Sequence, residues 1–198
     1  MSRIRFFLNF IRSPRQVGSV TPSSRWLCRR LLGAADLPET GCVVEFGPGT
    51  ACLTRMILDA LPAGARLMAF EINQDFVEML QRELPHPRLL LVNDSAEHVE
   101  RHLRARGYDG ADYIFSGLPF TTIPSALRER ILRAAYAALK PGGKFIAYQY
   151  SLILRRMLLG IFDDVRLGFE PRNIPPAFCF VCTKRSSEPR GSERGRGS

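Results

Sequence analysis

The sequence has no uninterrupted apolar run of the roughly 18 residues that a membrane-spanning helix needs. Its best rival, residues 151–162, is broken by Arg155 and Arg156. The first residues lack a small-residue cleavage site and charges recur through them, which argues against a secretory signal. Five cysteines (Cys28, Cys42, Cys52, Cys179 and Cys182) are odd in number and sit inside apolar runs, so a disulfide framework is not expected. Cys179 and Cys182 have the Cys-x-x-Cys spacing, but in a strand they point to opposite faces, which excludes a redox or metal pair. Histidine is scarce, with 3 in the chain. His98 and His102 stand four apart on an expected helix, yet no third ligand accompanies them, so they read as an exposed helical face and no metal is expected. Acids are missing before Asp36, whereas seven arginines occur there. A net charge of +9 and a pI near 9.9 call for an acidic partner, either anionic lipid or nucleic acid. A single compact domain, peripheral on the cytoplasmic face of a membrane, is the expectation.

Against these absences stands the run Val43-Val44-Glu45-Phe46-Gly47-Pro48-Gly49-Thr50-Ala51. It reads as a buried strand that stops at a glycine turn and hands over to a helix, whose first amides would aim at a ligand. Dinucleotide sites, nucleoside sites and plain tight turns share this pattern. The third glycine of the dinucleotide fingerprint is absent, and Ala51 stands in its place. A second apolar run, residues 67–70, ends in Glu71, 24 residues after Gly47, where an acid can accept from two ribose hydroxyls. A third run, residues 89–92, leads to Asn93 and Asp94, and the Asp94 carboxylate is placed to accept from an adenine amine. A fourth, residues 111–115, ends in Ser116-Gly117-Leu118-Pro119-Phe120. Its proline stiffens the loop, its carbonyls are acceptors, and an aromatic ring face attracts a cation. Such a tip suits a primary amine; a proline turn with a core phenylalanine is the plainer alternative.

Residues 45–54, Glu71-Ile72-Asn73 and the 116–120 loop together resemble the class I S-adenosylmethionine (SAM) dependent methyltransferases. More closely they resemble two families, the bacterial phospholipid N-methyltransferases and the ribosomal RNA adenine N6-dimethyltransferases. The resemblance covers about residues 14–184. It implies an α/β, Rossmann-like fold with a seven-stranded, mostly parallel sheet and helices on both faces. It implies SAM as cofactor, held by Glu45, Gly47, Pro48, Gly49, Thr50, Glu71, Ile72, Asp94, Ser95 and Ser116. Ser116, Gly117, Leu118, Pro119 and Phe120 would form the catalytic tip.

Three features favour a lipid acceptor over RNA. The RNA enzymes carry an asparagine where this chain has Gly117, which has no side chain to hold an adenine amine. They also carry an extra helical domain, whereas 78 residues follow Phe120 and the remaining elements use nearly all of them. Finally, on a helix over residues 3–12, Ile4, Phe7, Leu8 and Ile11 share one face and Arg5, Asn9 and Arg12 the other, a pattern suited to an anionic bilayer surface. The same helix could instead cover the fold. Residues 13–24 form a lid or a capped linker. Tyr148 and Tyr150 are candidates for an aromatic wall around a methylated amine, or for rim packing. Arg155, Arg156 and Arg172 are candidates for a lipid phosphate, or ordinary surface arginines. No buried histidine or other general base is evident.

The expected acceptor is the headgroup amine of phosphatidylethanolamine or its methylated derivatives. Nucleic acid is disfavoured and no obligate protein partner is evident. An RNA methyltransferase lacking the extra domain and a non-catalytic SAM-fold membrane protein stay open. The expected organisation is an amphipathic helix and lid over 1–35, a catalytic domain over 36–184 and a disordered tail over 185–198. Helices are expected near 3–12, 24–35, 51–61, 74–84, 96–106 and 125–139. Strands are expected near 42–46, 67–71, 89–92, 111–116, 143–149, 165–169 and 178–184.

Overall fold

The computed structural model describes residues 23–186. The expected helix over 3–12, most of the 13–24 lid and nearly all of the tail lie outside these residues. Ser24 opens the first helix: its side chain accepts from the amide of Leu27 at 3.2 Å and caps α1 (Arg25–Leu32). Leu27, Cys28 and Leu31, spaced at one and three, are the buried stripe of α1.

Seven strands form one sheet in the order β3-β2-β1-β4-β5-β7-β6. They are β1 (Cys42–Phe46), β2 (Arg66–Phe70), β3 (Leu89–Val92), β4 (Ala111–Ser116), β5 (Leu139–Gln149), β6 (Asp164–Glu170) and β7 (Ala177–Thr183). The first five pair in parallel, and β7 runs antiparallel to both β5 and β6. The parallel arrangement needs crossover helices. These are α2 (Cys52–Ala60), α3 (Gln74–Glu83), α4 (Val99–Arg104) and α5 (Ser125–Ala138). All five residues of β1 are buried, as a central strand covered on both faces requires. Val44 and Phe46 point into the layer that contains α4 and α5, and Val43 into the layer of α1 and α2. By the same alternation Glu45 shares the Val43 face. Cys179 and Cys182 do fall in opposite layers.

Several boundaries differ from the sequence expectation. The stretch between the helix expected near 125–139 and the strand expected near 143–149 is absorbed into β5 as an irregularity: Ala111 pairs with Leu139, and Tyr113 with Lys144. Gly142 makes this possible at φ +80°, and a Cβ on Gly143 would lie 2.9 Å from the Lys140 carbonyl. The helix expected over 96–106 splits into a 3-10 turn (Ala96–His98) and α4, because Ser95 caps the tighter turn first. A short helix that periodicity did not reveal, α6 (Arg155–Leu159), follows β5, and a 3-10 turn (Leu37–Glu39) precedes β1. Arg185, assigned to the tail, donates its amide to Asp163 at 2.8 Å. No helix among the described residues is long and apolar enough to cross a membrane.

Candidate functional site

The carboxyl ends of β1, β2 and β4 meet at one place. The Gly47 amide donates to the Phe70 carbonyl at 2.9 Å, and the Gly117 amide to the Phe46 carbonyl at 2.9 Å. Gly47 and Gly49 lie at φ +71° and +51°, where a glycine is the residue at ease. Ala51, in place of the missing third glycine, is also left-handed at φ +63° and fully buried. Pro48 is buried and its carbonyl accepts from the Ala51 amide at 2.9 Å, while Thr50 is exposed. A Cβ on Gly117 would sit 2.9 Å from the Gly47 carbonyl, and one on Gly47 would sit 3.0 Å from Leu118 Cδ2. The two loops therefore touch backbone to backbone.

Two acids point at this cradle. Glu71 is buried, and its Oε1 accepts from the Asn73 amide at 2.9 Å. Burial raises its pKa, and the amides of Asn73, Ile72 and Gly49 lower it in part. The Gly49 amide in that set ties the glycine turn to the tip of β2. Glu45 is 2 % exposed, and its Oε2 has no hydrogen-bond partner among the described residues. Burial pushes its pKa up to about 7, against a smaller lowering by the nearby Thr54 hydroxyl. That hydroxyl also lacks a partner of ordinary hydrogen-bond geometry. A buried carboxylate oxygen with nothing to accept from is costly, and a cationic or hydrogen-bonding ligand in the cradle would relieve it. The glycine turn and two acids thus fit a ligand carrying hydroxyls and an ammonium, as SAM does.

Other expected site residues have different surroundings. Ser116 is fully buried and its hydroxyl accepts from the Leu118 amide at 3.3 Å, which shapes the turn. The carbonyls of the 116–120 loop are not all free acceptors: that of Leu118 takes Gln149 Nε2 and the Phe120 amide, each at 2.9 Å. The Pro119 carbonyl takes both the amide and hydroxyl of Thr122 at 2.9 Å. Phe120 is completely buried against Phe145, so its ring packs the core rather than facing a cation. Ile72 is partly buried against the same core.

Asp94 is committed to its own chain. Its Oδ1 meets the Ser95 amide (2.7 Å) and His98 Nδ1 (2.9 Å), and its Oδ2 meets Arg101 Nη2 (2.6 Å) and His102 Nε2 (2.7 Å). These four donors occupy the carboxylate that an adenine amine was expected to use. Desolvation opposes ionisation, but the bonds from His102 and His98 outweigh it and hold the pKa well below the usual range. His98 and His102 are thus not a bare helical face. Ser95 works as a cap, accepting from the Glu97 amide at 3.4 Å.

On the rim, Tyr148 and Tyr150 meet edge to face at 5.9 Å, and the Tyr148 hydroxyl accepts from Ser23 Oγ at 2.9 Å. Burial pushes the Tyr148 pKa up to about 12. Tyr150 is 48 % exposed. Arg155 and Arg156 are exposed on α6. Arg172 is instead bound to Glu170 through Nε at 2.8 Å and lies over Trp26 at 4.3 Å. Gln149 and Asn173 were not anticipated. Gln149 ties β5 to the Leu118 carbonyl, and Asn173 Oδ1 accepts from the Ser24 amide at 2.9 Å, joining the start of α1 to the loop after β6. The signal for Gln149 was a lone buried amide at the end of an apolar strand. Among the described residues, no group of three or more His, Cys, Asp or Glu side chains is arranged to hold a metal ion.

Because folding raises the Glu45 pKa from about 4.5 to about 7, the native state binds the extra proton between those values. Stability without ligand should therefore fall as pH rises from 4.5 to 7, and Glu45→Gln should flatten that slope in urea unfolding curves. Gly117→Ala should cost about 1–3 kcal/mol by forcing the two loops apart, read from the same curves.

Comparison with known proteins agrees with this geometry. The family model described as a methyltransferase domain matches residues 43–143. The ornithine lipid N-methyltransferase of Singulisphaera acidiphila is 30% identical over 89% of this chain and 95% of its own length. The ribosomal RNA small subunit methyltransferase A of Thermotoga maritima is 28% identical over 62% of this chain, which spans only 40% of that protein. Among solved structures, 1,6-didemethyltoxoflavin-N1-methyltransferase of Burkholderia thailandensis, with S-adenosylhomocysteine bound, superposes with a TM-score of 0.65. That match covers 94% of this chain and 92% of the other at 15% identity, so it speaks to the fold. From the glycine turn, the paired acids and these matches together, the chain belongs to the class I SAM-dependent methyltransferases.

Proposed function

We propose that this chain methylates the primary amine of a membrane amino lipid, working peripherally at the cytoplasmic face. The correspondence with an ornithine lipid N-methyltransferase, nearly end to end in both chains, carries this reading. Ornithine lipid is the first acceptor to consider. Phosphatidylethanolamine and its methylated derivatives, which present a similar alkyl amine, are the second. The basic, aromatic sequence over 3–12 supports a lipid surface.

Bound SAM supplies a methyl group on a positively charged sulfur. The chain's own part is to bind and align. Glu71 accepts from the ribose hydroxyls, and the orphaned Oε2 of Glu45 accepts from the ammonium group. Left-handed Gly47 and Gly49, with Pro48 and Thr50 between and after them, let the ligand lie against the backbone. Ile72 and Ser95 border the nucleoside. Ser116, Gln149 and the proline of the 116–119 turn hold the loop rigid, which would keep an amine docked there in a fixed orientation toward the methyl donor. Tyr148 stays protonated at neutral pH, which suits it to a wall and not to a base. Solvent takes the proton that the amine must lose.

Transfer to an RNA adenine is the second reading, favoured by the shared nucleoside-site sequence of the rRNA enzymes. Against it stands Gly117, whose contact with Gly47 leaves no room for the side chain that would grip the base.

Labelled SAM, incubated with vesicles of either amino lipid and separately with ribosomal RNA, decides the acceptor. Label in the lipid amine is expected; label in adenine would transfer the chain to the second reading, and neither, with SAM still bound, would mean a non-catalytic protein. Glu71→Ala should weaken SAM binding by about 1.5–3 kcal/mol through lost charge-assisted hydrogen bonds, measured by calorimetry. Unchanged affinity removes the ribose role.

A further inference from the structure

A cavity of about 550 Å³ lies not at the glycine cradle but on the far side of α1, between that helix and the β6–β7 edge of the sheet. One side of α1 faces α2, with Cys28 Sγ 3.6 Å from Cys52 Sγ, and another faces β6, with Arg30 Nε 3.0 Å from Glu170 Oε2. The helix therefore separates the cavity from the cradle.

The floor of the cavity is apolar, formed by Leu31, Ile146, Cys179 and Val181. Its rim is cationic: Arg29, Arg30, Arg166 and Arg172 line it with one acid, Glu170, and Arg166 Nε also meets the exposed Asp164 Oδ2 at 3.0 Å. Glu170 is fully buried and serves two arginines at once, accepting from Arg30 Nε and from Arg172 Nε and Nη2. One carboxylate cannot neutralise two guanidiniums. It fixes their orientation and leaves donor nitrogens unspent. Arg29 pairs with no acid among the described residues, and it and Arg172 flank the Trp26 ring at 5.6 and 4.3 Å. Gly168 adds no side chain to this wall.

A dry floor beneath a rim of excess positive charge selects an amphiphile with an anionic head. We propose that this groove binds an anionic phospholipid, the phosphate on the arginines and the first part of an acyl chain over the floor. The site is distinct from that of the methyl acceptor, whose cationic amine the same arginines would repel. Like charge also argues against the chain's own start as occupant, because residues 3–15 hold four arginines and no acid. Leu167, which also lines the groove, Phe169 on the same edge strand and Ile174 beyond it are 46 %, 46 % and 78 % exposed, so exposed apolar side chains continue along the sheet edge from the groove.

Trp26 is the single tryptophan of the chain and stands in the groove, which makes it the reporter. The test measures Trp26 fluorescence of the full chain with mixed micelles carrying phosphatidylglycerol or phosphatidylcholine, brominated on the acyl chain near the headgroup. Quenching by brominated phosphatidylglycerol is expected, with an apparent affinity about tenfold lower in the double variant R29Q/R166Q. An exposed control, Arg104→Gln, should change it less than about twofold. Equal quenching by phosphatidylcholine, or binding of phosphatidylglycerol micelles without quenching, overturns the proposal. So does a saturable change in Trp26 emission with glycerol phosphate or a single-stranded oligonucleotide that prevents quenching by brominated phosphatidylglycerol at equal concentration. None of these readouts requires methyl transfer, so failure here and failure of the acceptor assignment are separately visible.

Discussion

The close approach of the β1 and β4 tips governs this molecule. Two backbone segments that would each leave a strand independently are pressed together, with Gly117 against the carbonyl of Gly47. A side chain at either position would wedge the tips apart, and with them the glycine turn and the rigid loop. Everything placed around the cradle inherits its position from that contact: Glu45 one residue before the Phe46 carbonyl, Glu71 one residue after the Phe70 carbonyl, and Leu118 over Gly47. The site is a property of strand ends held in register, which side chains then decorate.

The fold was legible because its signals are local. Four apolar runs, each ending in a glycine, an acid or a serine, separated by amphipathic stretches, specify a parallel sheet almost unaided. Boundaries were less legible where two local preferences competed. Lys140-Pro141-Gly142-Gly143 looks like a turn, and its glycines do adopt turn-like geometry, but neighbouring β4 recruits the segment into the ladder. Helix α6 is five residues long, too short for periodicity to declare itself.

Backbone requirements leave a direct trace in sequence, because only glycine is at ease in certain conformations, so Gly47 and Gly49 announced a turn, whereas Gly117 was read only for the side chain it lacks and not for its contact with Gly47. Partnerships between side chains distant in sequence leave none. Asp94 seemed free for a ligand until the 3-10 turn supplied His98 and α4 supplied Arg101 and His102. Phe120 and the carbonyls of Leu118 and Pro119 seemed aimed at a substrate, yet the core claims the ring, Gln149 the Leu118 carbonyl and Thr122 that of Pro119. Arg172, likewise, is oriented by Glu170, a residue with no exposed surface that it shares with Arg30.

The order of strands carries a consequence for how the chain is made. β7 lies between β5 and β6 and pairs with both, although it is the last of the described strands to leave the ribosome. Until residues 177–183 emerge, β6 has no partner and β5 keeps an open edge. Closure of the sheet therefore waits for residues 177–183, and a nascent chain halted before Ala177 presents two unpaired strand edges for chaperones to cover.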